Sequence, residues 1–73
     1  MPEAIFPPKI TLAAARVNAG LSQGKAAMEL GVTPETLRNW EQGKTVPGYD
    51  KAEAICALYR YPIDYIFFGR RSL

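Results

Sequence analysis

The sequence predicts a small all-α domain of five short helices, and three observations carry that expectation. Apolar residues recur at helical spacing instead of alternating. Glycines at 20, 31, 43 and 69 close these apolar segments, as suits the left-handed residue that ends a helix. The length, 73 residues, allows one domain at most, with so much surface for its volume that idealised helix packing must supply the stability. The usual staples are missing. A lone cysteine, Cys56, closes no internal disulfide, and without any histidine the common zinc sites are excluded, so no metal is expected.

In chain order, residues 1–9 read as an N-terminal arm, because three of the six prolines stand before Lys9 and each removes a donor. Residues 10–69 read as the folded domain and 70–73, which include Arg70 and Arg71, as a tail. Thr11 is placed to cap a first helix carrying Leu12, Ala13, Ala14, Ala15, Val17 and Ala19, ending at Gly20. Ser22 caps a second, with Ala26, Ala27 and Leu30 on one face and Gly31 as its stop. The third has the strongest start: Thr33 as cap, Pro34 as first helical residue and Glu35 at the positive end of the dipole. Leu37 and Trp40 point that helix into the core, and Gly43 ends it before a loop containing Pro47 and Gly48. Tyr49 or Asp50 opens a fourth helix with a core stripe of Ala52, Ile55, Cys56 and Tyr59. A fifth is expected from about Pro62, carrying Ile63, Ile66 and Phe67 up to Gly69. Phe6 of the arm is expected to cover the first helix, since an aromatic side chain is better covered than left on a loose arm.

Composition removes several function classes. Without histidine the common general base is absent, the seven carboxylates form no obvious acid/base pair, and no glycine-rich phosphate loop occurs, so the chain is not expected to be an enzyme. No cofactor or small-molecule ligand is implied. No signal-peptide pattern or membrane-spanning apolar run appears, and the single thiol fits a reducing compartment, so a cytoplasmic protein with no membrane partner is expected. A net charge of +2 is compatible with nucleic acid but too small for binding by charge alone.

The informative feature is the three-residue connection Gly31-Val32-Thr33, which forces the second and third helices to cross steeply. Ala27 is small where the next helix must approach. The start of the third helix then projects outward, with dimensions that suit the DNA major groove. The run Leu21-Ser-Gln23-Gly-Lys-Ala-Ala27-Met-Glu-Leu-Gly31-Val-Thr-Pro-Glu-Thr-Leu37-Arg-Asn-Trp40-Glu41-Gln-Gly43-Lys-Thr-Val-Pro47 resembles the helix-turn-helix of phage repressors and Cro proteins, the XRE-like regulators. Arg16 and the segment from Ile63 to Gly69 extend the resemblance to about residues 10–69.

That resemblance implies a lambda-repressor-like fold and a sequence-specific transcription regulator, with residues 33–42 as recognition helix on double-stranded DNA. Gln23, Thr33, Pro34, Glu35 and Asn39 are implied at the bases, and Lys25, Thr36, Arg38, Lys44 and Thr45 at phosphates. The chemistry suits these assignments: Asn pairs bidentately with adenine, Glu accepts from cytosine N4, and Pro34 can touch a thymine methyl. Arg16 and Glu41 match a partly buried structural ion pair. Five of the eight aromatics, Tyr59, Tyr61, Tyr65, Phe67 and Phe68, fall in the last fifteen residues, more than a short helix needs. A homodimer surface of Tyr61, Tyr65 and Phe68 follows from that excess and from the family's habit of dimerising at this end. Repression by operator occupancy is the simplest mechanism; the competing reading is a protein-interaction module of the same fold, as in antitoxins or adaptors.

Overall fold

Three side-chain hydroxyls set where the helices begin. A computed structural model describes residues 7–69, and in it Thr11 Oγ1 accepts the Ala14 N–H at 3.0 Å, opening α1 (Leu12–Asn18). Ser22 Oγ accepts from the Lys25 N–H at 3.1 Å to open α2 (Gln23–Leu30), and Thr33 Oγ1 accepts from the Thr36 N–H at 3.1 Å to open α3 (Pro34–Gln42). Each such bond satisfies an N–H that the helix itself leaves without a partner. By contrast, α4 (Tyr49–Tyr59) starts after Gly48 with no side-chain cap. At the other ends, Gly31 (φ 73°) and Gly43 (φ 77°) close α2 and α3 in the left-handed region. Arg60 closes α4 at φ 60°, a conformation that costs a side-chain-bearing residue energy.

The all-α class holds, with four α-helices among the described residues in place of the expected five. The segment from Pro62 makes only a 3₁₀ turn, Ile63–Tyr65, closed by the Tyr65 N–H on the Pro62 carbonyl at 3.1 Å. It then straightens into β2 (Ile66–Phe67), which pairs in parallel with β1 (Ile10–Thr11) in the register Ile10 to Ile66 and Thr11 to Phe67. The stretch between Pro62 and Gly69 is too short to offset the cost of nucleating an α-helix. The extended form instead buries Ile66, and Ile10 beside it packs on the same core.

That core contains Leu12 and Ala15 from α1, Ala26, Ala27 and Leu30 from α2, Leu37 and Trp40 from α3, and Ile55 and Tyr59 from α4. Ala26 and Ala27 are wholly buried, so the backbones of α2 and α3 approach with no bulky side chain between them. Cys56 is half-buried against the same cluster. Burial, and then the charge of Glu53, pushes its thiol up, away from the reactive thiolate.

Candidate nucleic-acid interface

The turn between α2 and α3 is closed by its own backbone: the Gly31 N–H reaches the Met28 carbonyl at 3.1 Å and the Val32 N–H the Ala27 carbonyl at 3.0 Å. Lys51 adds a bond from α4, donating from Nζ to the Leu30 carbonyl at 2.8 Å. The end of α2 and the turn that leads into α3 are therefore held by the backbone of α2 and by α4. Leu37 and Trp40 face inward, while Thr33, Pro34, Glu35, Arg38 and Gln42 are exposed and Thr36 and Asn39 half-buried.

On this outer face the polar groups are partly engaged. Thr33 Oγ1 serves the cap and also lies 2.9 Å from Thr36 Oγ1, while Arg38 Nη2 donates to Glu35 Oε1 at 3.1 Å. The Asn39 carbonyl accepts the Lys44 N–H at 2.9 Å, which folds the following loop back over the end of α3 with Lys44 and Thr45 exposed. Lys25 is exposed beside the start of α2. Three cations are thus exposed on the helix-turn-helix, Lys25 in the first turn of α2, Arg38 on the outer face of α3 and Lys44 just past the end of α3, with Glu35 paired to Arg38.

A model of a helix-turn-helix family matches residues 12–66. The chain belongs to the helix-turn-helix family of phage repressors and Cro proteins. No curated protein and no solved structure matches it. Membership makes the chain a DNA-binding transcription regulator of that type.

In this helix-turn-helix, α3 is anchored at its far end by a partly buried network. Arg16 Nε donates to Glu41 Oε2 at 2.7 Å and Arg16 Nη1 to the Leu21 carbonyl at 2.8 Å, joining α1, the connection to α2, and α3. Gln23 Nε2 donates to Glu41 Oε1 at 2.9 Å. A carboxylate accepts only, so the Gln23 amide must turn its nitrogen toward Glu41. The sequence did not indicate this second task for Gln23, nor the strap from Lys51: neither residue breaks helical spacing, and their partners lie 18 and 21 positions away. Beneath the network the Tyr59 hydroxyl is buried without a hydrogen-bond partner. Burial, reinforced by Glu41 and opposed by Arg16, pushes its pKa up to about 12.

The aromatic end of the domain is partly self-contained. Tyr61, Tyr65 and Phe68 are half-buried, and Tyr61 and Phe68 lie against the core. The Tyr61 hydroxyl donates to the Pro8 carbonyl, and Lys9 Nζ stands 4.9 Å from the centre of the Phe67 ring. The large apolar side chains most open to solvent are instead Val17, Met28, Val46 and Tyr49, which the sequence did not single out as a surface. Phe6, Arg70 and Arg71 lie outside the described residues. Among those described, no group of acidic or cysteine side chains is arranged for a metal, and no helix is long and apolar enough to cross a membrane.

Proposed function

We propose that this regulator represses transcription by occupying an operator, with α3 seated in the major groove. The observation that carries the reading is the exposed start of α3 beyond a hydrogen-bonded turn, with exposed cations on α2 (Lys25), on α3 itself (Arg38) and just past its end (Lys44). Asn39, whose side-chain amide has no partner among the described residues, reads adenine, and Glu35 accepts from a base-edge amino group. Pro34 packs on a thymine methyl, and Thr33 and Gln23 lie at the edge of the base contacts. Lys25, Thr36, Arg38, Lys44 and Thr45 hold phosphates, contacts that position the protein and touch no base edge. Arg16 and Glu41 act behind the interface, fixing the helix that reads. The place of action is the cytoplasm, and the chemistry requires no cofactor.

Two copies joined through Tyr61, Tyr65 and Phe68 would set two recognition helices about 34 Å apart, one turn of DNA. Selection of duplexes from a random pool, at salt high enough to suppress non-specific binding, tests both parts. An enriched inverted repeat with half-sites one turn apart supports the dimeric repressor, whereas a single enriched half-site removes the dimer. No enrichment by the folded protein rejects operator reading. The competing adaptor reading is favoured by the exposure of Met28, Val46 and Tyr49, at 60 to 69%. It predicts DNA binding that is absent or indifferent to salt, whereas true phosphate contacts weaken steeply as salt rises.

A further inference from the structure

We propose that Glu35 makes Arg38 a conditional DNA contact, released to phosphate only when the base facing Glu35 offers an amino group. The proposal rests on α3 entering the major groove as argued above. Its starting point is the pair itself: on the outer face of the recognition helix, Arg38 Nη2 and Glu35 Oε1 lie 3.1 Å apart, with both side chains more than half exposed. A pair so exposed holds its partners by only about two- to fivefold. It biases Arg38 without locking it, as a competitor should.

In the groove the two charges have opposite fates. A carboxylate among phosphates is repelled, and it only accepts hydrogen bonds. The donors that the major groove offers are cytosine N4 and adenine N6, while guanine and thymine present acceptors. Facing guanine or thymine, Glu35 does best by keeping Arg38, whose charge is then spent inside the protein. Facing cytosine or adenine, Glu35 bonds the amino group and Arg38 swings free to a phosphate. Base reading and phosphate contact are thereby coupled, so a site that presents guanine or thymine to Glu35 forfeits both together. For a protein of net charge only +2, this device weakens binding at such sites, at a cost to operator affinity of only the about two- to fivefold needed to part the pair.

The test compares the wild type, Glu35→Ala, Arg38→Ala and the double variant on two equal-length duplexes across a salt series. One duplex is the operator enriched by the wild type; the other, the non-operator, is the same sequence with each preferred cytosine or adenine of the half-site exchanged for guanine or thymine. Arg38→Ala should weaken operator binding about fivefold and flatten its salt slope by about 0.9, with non-operator affinity kept within twofold. Glu35→Ala should tighten non-operator binding about fivefold and steepen its slope by a similar amount, lowering the operator preference about tenfold. With Glu35 gone, removing Arg38 should weaken both duplexes alike. Equal losses from Arg38→Ala on both duplexes in the presence of Glu35 would overturn the coupling while leaving operator reading intact. A wild type that enriches no sequence would instead overturn the operator reading and this proposal with it. Both side chains are exposed, and thermal melting checks that each variant is folded.

Discussion

Tyr59 puts a phenolic hydroxyl into the core with nothing to bond. Tyr59→Phe is therefore predicted to stabilise the fold by about 1 kcal/mol near neutral pH, because a buried hydroxyl without a partner carries its full desolvation cost. In a domain this small that corresponds to a rise in Tm of roughly 4–8 °C. The gap should widen in alkali. Unfolded tyrosine ionises near its ordinary value of 10.0, while folded Tyr59 holds its proton until about 12. Between those values only the unfolded state is deprotonated, so wild-type stability falls with rising pH, by about 2–3 kcal/mol in all. Urea titrations of both proteins at pH 7 and pH 11 would show the difference. Near Tyr59, the Arg16 and Glu41 side chains are only 14% and 7% exposed, which makes theirs a largely shielded pair. Glu41→Ala leaves Arg16 with only the Leu21 carbonyl and the Gln23 amide without its acceptor, and should cost about 3 kcal/mol in urea denaturation, far more than an exposed pair such as Glu35 with Arg38.

At the scale of elements, the helix starts were legible because a cap acts across three residues: Thr11, Ser22 and Thr33 each bond the N–H three positions on. Helix ends were legible where glycine supplies the left-handed residue, as at Gly31 and Gly43. Arg60 is the exception. It adopts φ 60° without glycine's freedom, so Arg60→Gly should stabilise the end of α4 by about 0.5–1 kcal/mol. The gain falls short of the full strain, since glycine also loosens the unfolded chain. Thermal melting reads that change directly, and an unchanged or lower Tm would show that the Arg60 side chain contributes more than its backbone costs. The expected fifth helix was misread for a reason at this scale: Ile63, Ile66 and Phe67 have helical spacing, but spacing over so few residues does not distinguish a helix from a turn followed by a buried strand.

Across the whole molecule, the beginning and end of the domain are tied together. The Pro8 carbonyl accepts from Tyr61, Lys9 covers Phe67, and β1 pairs with β2, so residues from both ends close one side of the core. Tyr61→Phe together with Lys9→Ala should remove the first two ties and cost about 1–2 kcal/mol, one hydrogen bond and one cation–π contact. A urea midpoint lowered accordingly, with helical circular dichroism retained, would match that outcome; an unchanged midpoint would reduce these contacts to surface decoration.

The sequence by itself determined the all-α class, the starts of α1, α2 and α3, the tight turn at residues 31–33, and which face of α3 turns outward. These follow from capping, backbone freedom and periodicity, which act within one or two helical turns. Tertiary structure alone decided the strand made by Ile66 and Phe67, the engagement of Gln23 with Glu41, the strap from Lys51 to Leu30, and the stranded hydroxyl of Tyr59. The three pairings join groups from 18 to 56 positions apart, and the last depends on what surrounds a buried side chain. Only the folded chain brings such groups within the few ångströms over which hydrogen bonds and burial act.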